Sequence, residues 1–526
     1  MNVVLNPIIL LASIAIGILL EHSFSFGAQL IAILMGSAVI VYASLHYLTR
    51  TPANAIRLNL LHYVWIALLS IALGATSEYF SAVRYPVEGK HHLVSQKARI
   101  VDDVAKNAGD LLTVELINCR CKATILTQPC SFGVGDIILI DGQLMPVDPD
   151  RASNRRHYRR NAKQAKNSEK RDSNSGFVDY QLRQGILYSG VVPIDKIRKI
   201  GQSDNLRSFA ITLRDRLESG ILKTGLSTET KNFLITLFLG DRQFLDPELR
   251  QTFSDLGLSH VLAVSGLHTG IIASILLALF LPFNIIGRRK WKFGLSIILI
   301  WVFVIVTGLA PSTVRAAIMM TCLFIGMMIE RKMSAGTALC WAAVFILILS
   351  PSSLFDVGFQ LSFLCVASLT IFCEKLNPFD ISTHRRLYLC ASALLATIVS
   401  TGCTWIVVAY YFGTLPTMFL PANLIVLPFV PVYMGLALIY FLLFSFGVEA
   451  RGLGHLLDSM LEITDKLGRM LSADGSTVLS VNPGPTSVEL WLVGILFLGY
   501  ALYTQRKSLI PAIAGSGCMI MSIVLL

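Results

Sequence analysis

The sequence predicts a polytopic α-helical membrane protein of about a dozen segments, with a small OB-like β domain inserted outside the membrane. Three observations predict it. Apolar residues make up 54% and charged residues 15% of the 526 residues, whereas soluble domains carry about 25% charged residues; the mean hydropathy is +0.64. Apolar runs long enough to cross about 30 Å of hydrocarbon recur along the chain. The polar stretch between the third and fourth runs alternates in the manner of β-strands.

The apolar runs lie near 3–20, 28–48 and 58–75, then near 261–283, 293–310, 314–329, 334–350, 359–374, 387–412, 419–446, 487–503 and 508–526. The first has no basic flank and no small-residue cleavage pattern, so a retained helix is expected. The organisation that follows is N-terminal helices over 1–75, a β domain over 76–204 and an amphipathic surface helix over 205–228. A helical core over 229–446, an amphipathic outer segment over 447–486 and C-terminal helices over 487–526 complete it. Within the core, 414–446 is too short for two spans and a turn at 1.5 Å per residue. Pro416, Pro421, Pro428 and Pro431 interrupt it, so the segment is expected to be broken or re-entrant, unless the spans are miscounted.

Orientation follows from the short loops. Arg50 and Arg57 lie between the second and third runs, while the first loop carries only Glu21 and His22. Basic short loops stay inside, which puts the N-terminus in the cytoplasm and residues 76–228 outside it. GRRKWK at 287–292 and TQRK at 504–507 agree.

In the outer domain, KARIVDD, LLTVELINC, KATILTQ and GDIILIDGQLMPV are short runs rich in Ile, Val and Thr, separated by Gly, Asn and Asp. Such spacing suits a compact barrel or sandwich, and an OB-type barrel fits so short a segment. Next comes 150–176, where Arg155, Arg156, Arg159, Arg160, Lys163 and Lys166 crowd around His157 and Tyr158 almost without aliphatic residues. Such a run buries nothing and suits the backbone of a polyanion, with Tyr158 available to stack on a base. A solvated loop near anionic headgroups is the alternative. The following stripe Leu206, Phe209, Leu213 and Leu217 has helical spacing, as in a helix lying on the outer surface or one packed against protein.

Three of the ten cysteines, Cys119, Cys121 and Cys130, fall in the outer domain. A bridge from Cys130 to one of the other two is allowed there, Cys121 being the candidate carried forward. The chain has no CxxC pair, no HExxH and no GxxxxGK[ST] loop, so neither a metal, a cofactor nor an intrinsic ATP motor is expected.

The stretch SHVLAVSGLH at 259–268 places His260, Ser265 and His268 at the mouth of an apolar run. Three readings compete: a nucleophile with its base, a lining for a polar path, or a helix start with internal hydrogen bonds. Ser265 and His268, three apart on one helix, would share a face, but hydrolysis also needs an oriented base and oxyanion donors. Arg315 in TGLAPSTVRAAIMM, Asp356 and Gln360 in DVGFQLSF, and Asn423 in PANLIVLPF are further polar groups in apolar surroundings. Ionisable residues there suggest function by default, with an Arg315–Asp356 ion pair as the structural alternative.

Taken together, GDRQFLDPELRQTFSDLGL, SHVLAVSGLH, TGLAPSTVRAAIMM, PSSLFDVGFQLSF and FGTLPTMFLPANLIVLPFVP resemble the successive motifs of the competence membrane domain of ComEC-type DNA-uptake proteins. NSGFVDYQLRQGIL at 174–187 resembles the segment closing that family's outer OB-like domain. The resemblance implies a channel passing single-stranded DNA across the bacterial cytoplasmic membrane during natural transformation, with His260, Ser265, His268, Arg315, Asp356, Gln360 and Asn423 mapping to the membrane motifs. It also implies an outer DNA receptor, a cytoplasmic ATP-driven motor and single-strand-binding proteins as partners. Many relatives carry a C-terminal metallo-β-lactamase-like domain; this chain ends at Leu526 without one, so a short form served by a separate nuclease is expected. A membrane-embedded serine hydrolase using Ser265 and His268, or a transporter of another anion, are the alternatives.

Overall fold

A computed structural model of the chain describes residues 7–24, 70–77, 96–106, 109–117, 121–128, 132–147, 186–202, 206–241, 244–329, 334–379, 384–448, 450–472, 478–503 and 509–525. They form two compact units, Met1–Thr212 with Val344–Asp356, and Leu213–Ala343 with Val357–Leu526. The run expected at 28–48, most of that at 58–75, the basic stretch 150–176 with Arg155, Arg156, Tyr158, Arg159, Arg160, Lys163 and Lys166, and both Cys119 and Cys130 lie outside the described residues.

In the first unit, helix α1 (Pro7–Phe24) packs against helix α2 (70–77) through glycines. A Cβ on Gly17 would collide with the backbone carbonyl of Ile71, and one on Gly74 with that of Ile14. Small residues allow helices to approach this closely in a membrane, where dispersion replaces the hydrophobic effect as the attraction between them.

Among the described residues the β region is one seven-stranded sheet. Its strands are β1 (Gln96–Lys106), β2 (Gly109–Leu116), β3 (Cys121–Thr127), β4 (Asp136–Ile140), β5 (Met145–Pro146), β6 (Ile186–Val191) and β7 (Ile197–Gln202), in the spatial order β5-β6-β3-β2-β1-β4-β7. All pairings are antiparallel except β3 with β6. Alternation in the sequence becomes burial: Ile138 and Ile140 of β4 face a core with Ile100, Leu112, Val114 and Ile125, while the alternate residues Ile137 and Leu139 stay half-exposed. A bulge between Ile100 and Asp102 shifts the register of β1. Bulges bend a strand, and this one pairs with β4 at one end and along β2. Strands β6 and β7 did not figure among the expected ones. Lys199 of β7 pairs with the buried Asp136 of β4 at 2.6 Å, and Asp136 also accepts from the Gly133 N–H at 3.1 Å.

The second unit is helical. Its elements are α3 (Leu206–Leu222), which begins in the first unit, α4 (Thr228–Leu234, continued by a π-helical turn Ile235–Leu239), α5 (Pro247–Asp255), α6 (Gly266–Leu279) and α7 (Pro282–Ile285). Then come α8 (Arg289–Val306), α9 (Pro311–Met328), α10 (Ala335–Leu349), α11 (Val357–Ser368, continued by a π-helical turn Leu369–Cys373) and α12 (Arg385–Phe412). Strand β8 (Thr414–Pro416), α13 (Phe419–Val426), α14 (Phe429–Ser445), α15 (Arg451–Ser472), strand β9 (Val478–Ser480), α16 (Pro485–Tyr503) and α17 (Leu509–Val524) complete the chain.

By length and composition, four helices among the described residues can cross a membrane: Pro311–Met328, Arg385–Phe412, Phe419–Ser445 and Pro485–Leu502. Others that the hydropathy runs suggested are shorter; the run at 261–283 becomes the 14-residue α6 and the one-turn α7, because its first residues are irregular. The proline-rich run divides into α13 and α14 at Leu427–Pro428, where both residues keep helical dihedrals. Proline lacks the N–H for the preceding turn, which accounts for the junction.

Two amphipathic helices fare differently. On α15, Leu457 and Leu461 are buried with Phe233, Phe253 and Tyr433, and Gly454 and Gly468 lie close to Leu226 and Thr252. On α3, the apolar stripe is only partly covered, with Phe209 60% and Leu217 40% exposed.

Candidate functional site

The segment 256–268 is contacted by residues from three separate stretches, Gly240, Ser312 and Pro416 with Phe419. Asp246 caps α5 by accepting from the Glu248 N–H at 3.2 Å, and Pro247 opens the helix. The helix ends because Gly257 takes φ +72°. Leu258 N–H then reaches the Phe253 carbonyl at 2.7 Å and Gly257 N–H the Ser254 carbonyl at 3.0 Å, which satisfies the last carbonyls in the Schellman manner. A Cβ at Gly257 would stand 3.1 Å from Pro416 Cγ and 3.3 Å from Phe419 Cβ, so β8 and α13 press directly on this turn.

Beyond the turn, Val261, Leu262 and Val264 are buried while His260 is exposed. His260 Nδ1 lies 3.1 Å from the Gly257 carbonyl; since a carbonyl only accepts, Nδ1 carries the proton.

Ser265 and His268 do meet, but not as two residues within one helix. Helix α6 starts at Gly266, and Ser265 is its N-cap, with φ −124° and ψ 175°. Its Oγ accepts from the Leu267 N–H at 3.2 Å, and its own N–H donates to His268 Nδ1 at 3.0 Å. The pair forms a capping box with histidine in the place usually held by Glu or Gln. Oγ and Nδ1 are also 3.2 Å apart. His268 is fully buried; because Nδ1 accepts, its proton sits on Nε2, which has no hydrogen-bond partner among the described residues. At Ser265 the geometry is that of a helix start with internal hydrogen bonds.

Residues from two of the other motifs contact the segment. Gly240, at φ +80°, ends the π-helical turn, and its Cβ position lies 3.0 Å from Val264 Cγ2. Next to it, Asp241 faces Arg214 of α3 at 3.7 Å. Arg214 in turn lies over the α8–α9 turn, with Nη1 3.9 Å from the Cβ position of Gly308. That turn holds Gly308 at φ +71° and Leu309 at φ +59°, the one non-glycine residue with positive φ among the described residues. Such a conformation costs about 1–2 kcal/mol. Helix α9 then begins at Pro311, and Ser312 donates to the Val264 carbonyl at 2.6 Å. Ala316 Cβ is 3.7 Å from the Cβ position of Gly266.

Arg315 is half-buried on this same part of α9. Asn423 is buried one turn beyond Phe419; its Nδ2 donates to the Phe419 carbonyl at 2.7 Å, and its Oδ1 has no partner among the described residues. Gln360 of α11 accepts from Tyr411 OH at 3.1 Å, tying α11 to the last turn of α12 just ahead of β8. Asp356 follows a 3₁₀ turn, Pro351–Phe355, and belongs to the other compact unit. A small apolar cavity among Phe233, Phe253, Val261, Val430 and Tyr433 adjoins the segment; none of the seven residues lines it. Cys121 is buried on β3.

Two residues that build the site carry no mark in the linear chain that singles them out: Gly240 and Ser312 meet the segment only through tertiary contacts. Gly257, also not among the expected site residues, carried a usable signal, a glycine directly after the last apolar position of a capped helix.

The sequence model of the family described as Competence protein matches residues 237–506, a little over half of the chain. The chain is 26% identical over 350 residues to ComE operon protein 3 of Bacillus subtilis (strain 168), an alignment covering 66% of this chain and 43% of that protein. The chain therefore spans less than half the length of the curated relative it matches. No solved structure matches.

Proposed function

This chain belongs to the competence protein family, and from that premise we propose that it forms a helical membrane channel passing single-stranded DNA across the bacterial cytoplasmic membrane during natural transformation. The observation that carries the proposal is the convergence of separate motifs on 256–268: Gly240, Ser312 and Phe419 all touch this one irregular segment. Irregular backbone at membrane depth is stable only where protein or a water-filled passage covers it. Two buried polar atoms there, His268 Nε2 and Asn423 Oδ1, have unused hydrogen-bonding capacity, which suits groups that meet a passing phosphate or its water.

In this reading His260, Ser265, His268, Arg315, Asp356, Gln360 and Asn423 belong to the path. Residues 76–228 face outward and the N-terminus inward. The β region is an OB-like domain, supported by β1 pairing with both β2 and β4 and by the parallel pairing of β3 with β6. Arg155, Arg156, Tyr158, Arg159, Arg160, Lys163 and Lys166 collect the strand, and a Cys121–Cys130 bridge braces the domain. An outer receptor, a cytoplasmic ATP-driven motor, single-strand-binding proteins and a separate nuclease complete the system. In this reading Ser265 acts as the cap of α6, its Oγ accepting from the Leu267 N–H, and not as a nucleophile.

The deciding experiment deletes the gene and measures transformation and entry of labelled DNA into a nuclease-protected form, with and without complementation. Loss of both with restoration by the intact chain is expected. Undiminished transformation in the deletion strain would overturn the proposal.

A further inference from the structure

The tip of the α6–α8 hairpin joins an apolar and a basic surface. On one side of Gly287 stand Ile285 and Ile286, 88% and 67% exposed. On the other stand Arg288, Arg289, Lys290 and Lys292, with Trp291 between them 58% exposed. The reversal is built into the backbone: Gly287 takes φ +73°, and Arg288 N–H returns to the Phe283 carbonyl at 2.9 Å. Among the described residues Arg288, Arg289 and Lys292 form no ion pair. Arg289 and Lys292 instead lie over the Phe293 ring, at 5.7 and 5.5 Å from its centroid.

We propose that this tip is a binding site for anionic phospholipid, with the cations on the headgroup phosphates and the two isoleucines in the acyl boundary. A hydrated polyanion or an acidic protein would account for the cations but would leave two nearly bare isoleucines without a place. An anionic leaflet accounts for both, since basic side chains are attracted to its surface while aliphatic and indole groups enter the interface. The proposal does not depend on DNA passage.

The test uses the full chain in phosphatidylcholine vesicles containing, at equal mole fraction, either brominated phosphatidylglycerol or brominated phosphatidylcholine. The quenching of Trp291 is read as the difference between the wild-type protein and Trp291→Phe. Local enrichment of the anionic lipid of about fivefold or more is expected, the Boltzmann factor of about 1 kcal/mol for one basic side chain at an anionic surface. Combined Arg288→Gln, Arg289→Gln, Lys290→Gln and Lys292→Gln should remove the preference. The wild-type comparison decides even if that variant does not fold. Equal quenching by the two lipids overturns the site. So does loss of the preference when a single-stranded oligonucleotide is added, which would assign the cations to nucleic acid.

Discussion

Ser312 Oγ lies 2.6 Å from the carbonyl oxygen of Val264, and this hydrogen bond joins the first turn of one helix to the residue preceding the cap of another. It fixes where Ser265 stands, and therefore where α6 starts. Removing the hydroxyl in Ser312→Ala leaves a carbonyl in a buried position without its donor, a loss of about 1–3 kcal/mol. A lower unfolding temperature in detergent and reduced DNA uptake are expected, with Ser312→Thr retaining more of both. Unchanged stability in the alanine variant would show that the hydrogen bond does not matter.

The turn at Gly257 should tolerate nothing larger. In Gly257→Ala the left-handed backbone costs about 1–2 kcal/mol, and the new methyl would meet Pro416 and Phe419 at 3.1–3.3 Å. Gly220, inside α3 with open space around its Cβ position, is the control. There alanine should stabilise by roughly 0.5–1 kcal/mol. Thermal unfolding of the two variants side by side checks the contrast.

Glu218 sits on α3 with its pKa raised, first by burial and then by Asp241 and Asp215, against the opposing effect of Arg214. A carboxyl whose folded pKa lies above its unfolded value favours the fold below the unfolded pKa, near 4.5, and this contribution is lost as pH rises through the folded value. Glu218→Gln should therefore raise the unfolding temperature at neutral pH and leave it little changed in acid. An equal effect at both pH values would contradict the assignment.

If the basic stretch collects DNA, replacing Arg155, Arg156, Arg159 and Arg160 with Gln should weaken binding and reduce its salt dependence. On a single strand, the slope of log affinity against log salt should become shallower by about 0.7 for each phosphate that the variant no longer neutralises. Identical slopes for variant and wild type would remove the stretch from the mechanism.

The class of this protein was legible in the linear chain because burial in a bilayer and burial on one face of a sheet leave local marks. Apolar runs and the Ile-x-Ile alternation of β4 need no partner to be recognised, and the motif order pointed to the competence family. The fold decided what those marks could not carry. Ser265 became a helix cap and not a helix residue because its role depends on the dihedrals set by Gly257 and on Ser312 reaching Val264 from 48 positions away. The stripe of α15 found a core while that of α3 stayed partly bare, although both have helical spacing. Periodicity states that a face is apolar; only the packing of distant segments determines what covers it.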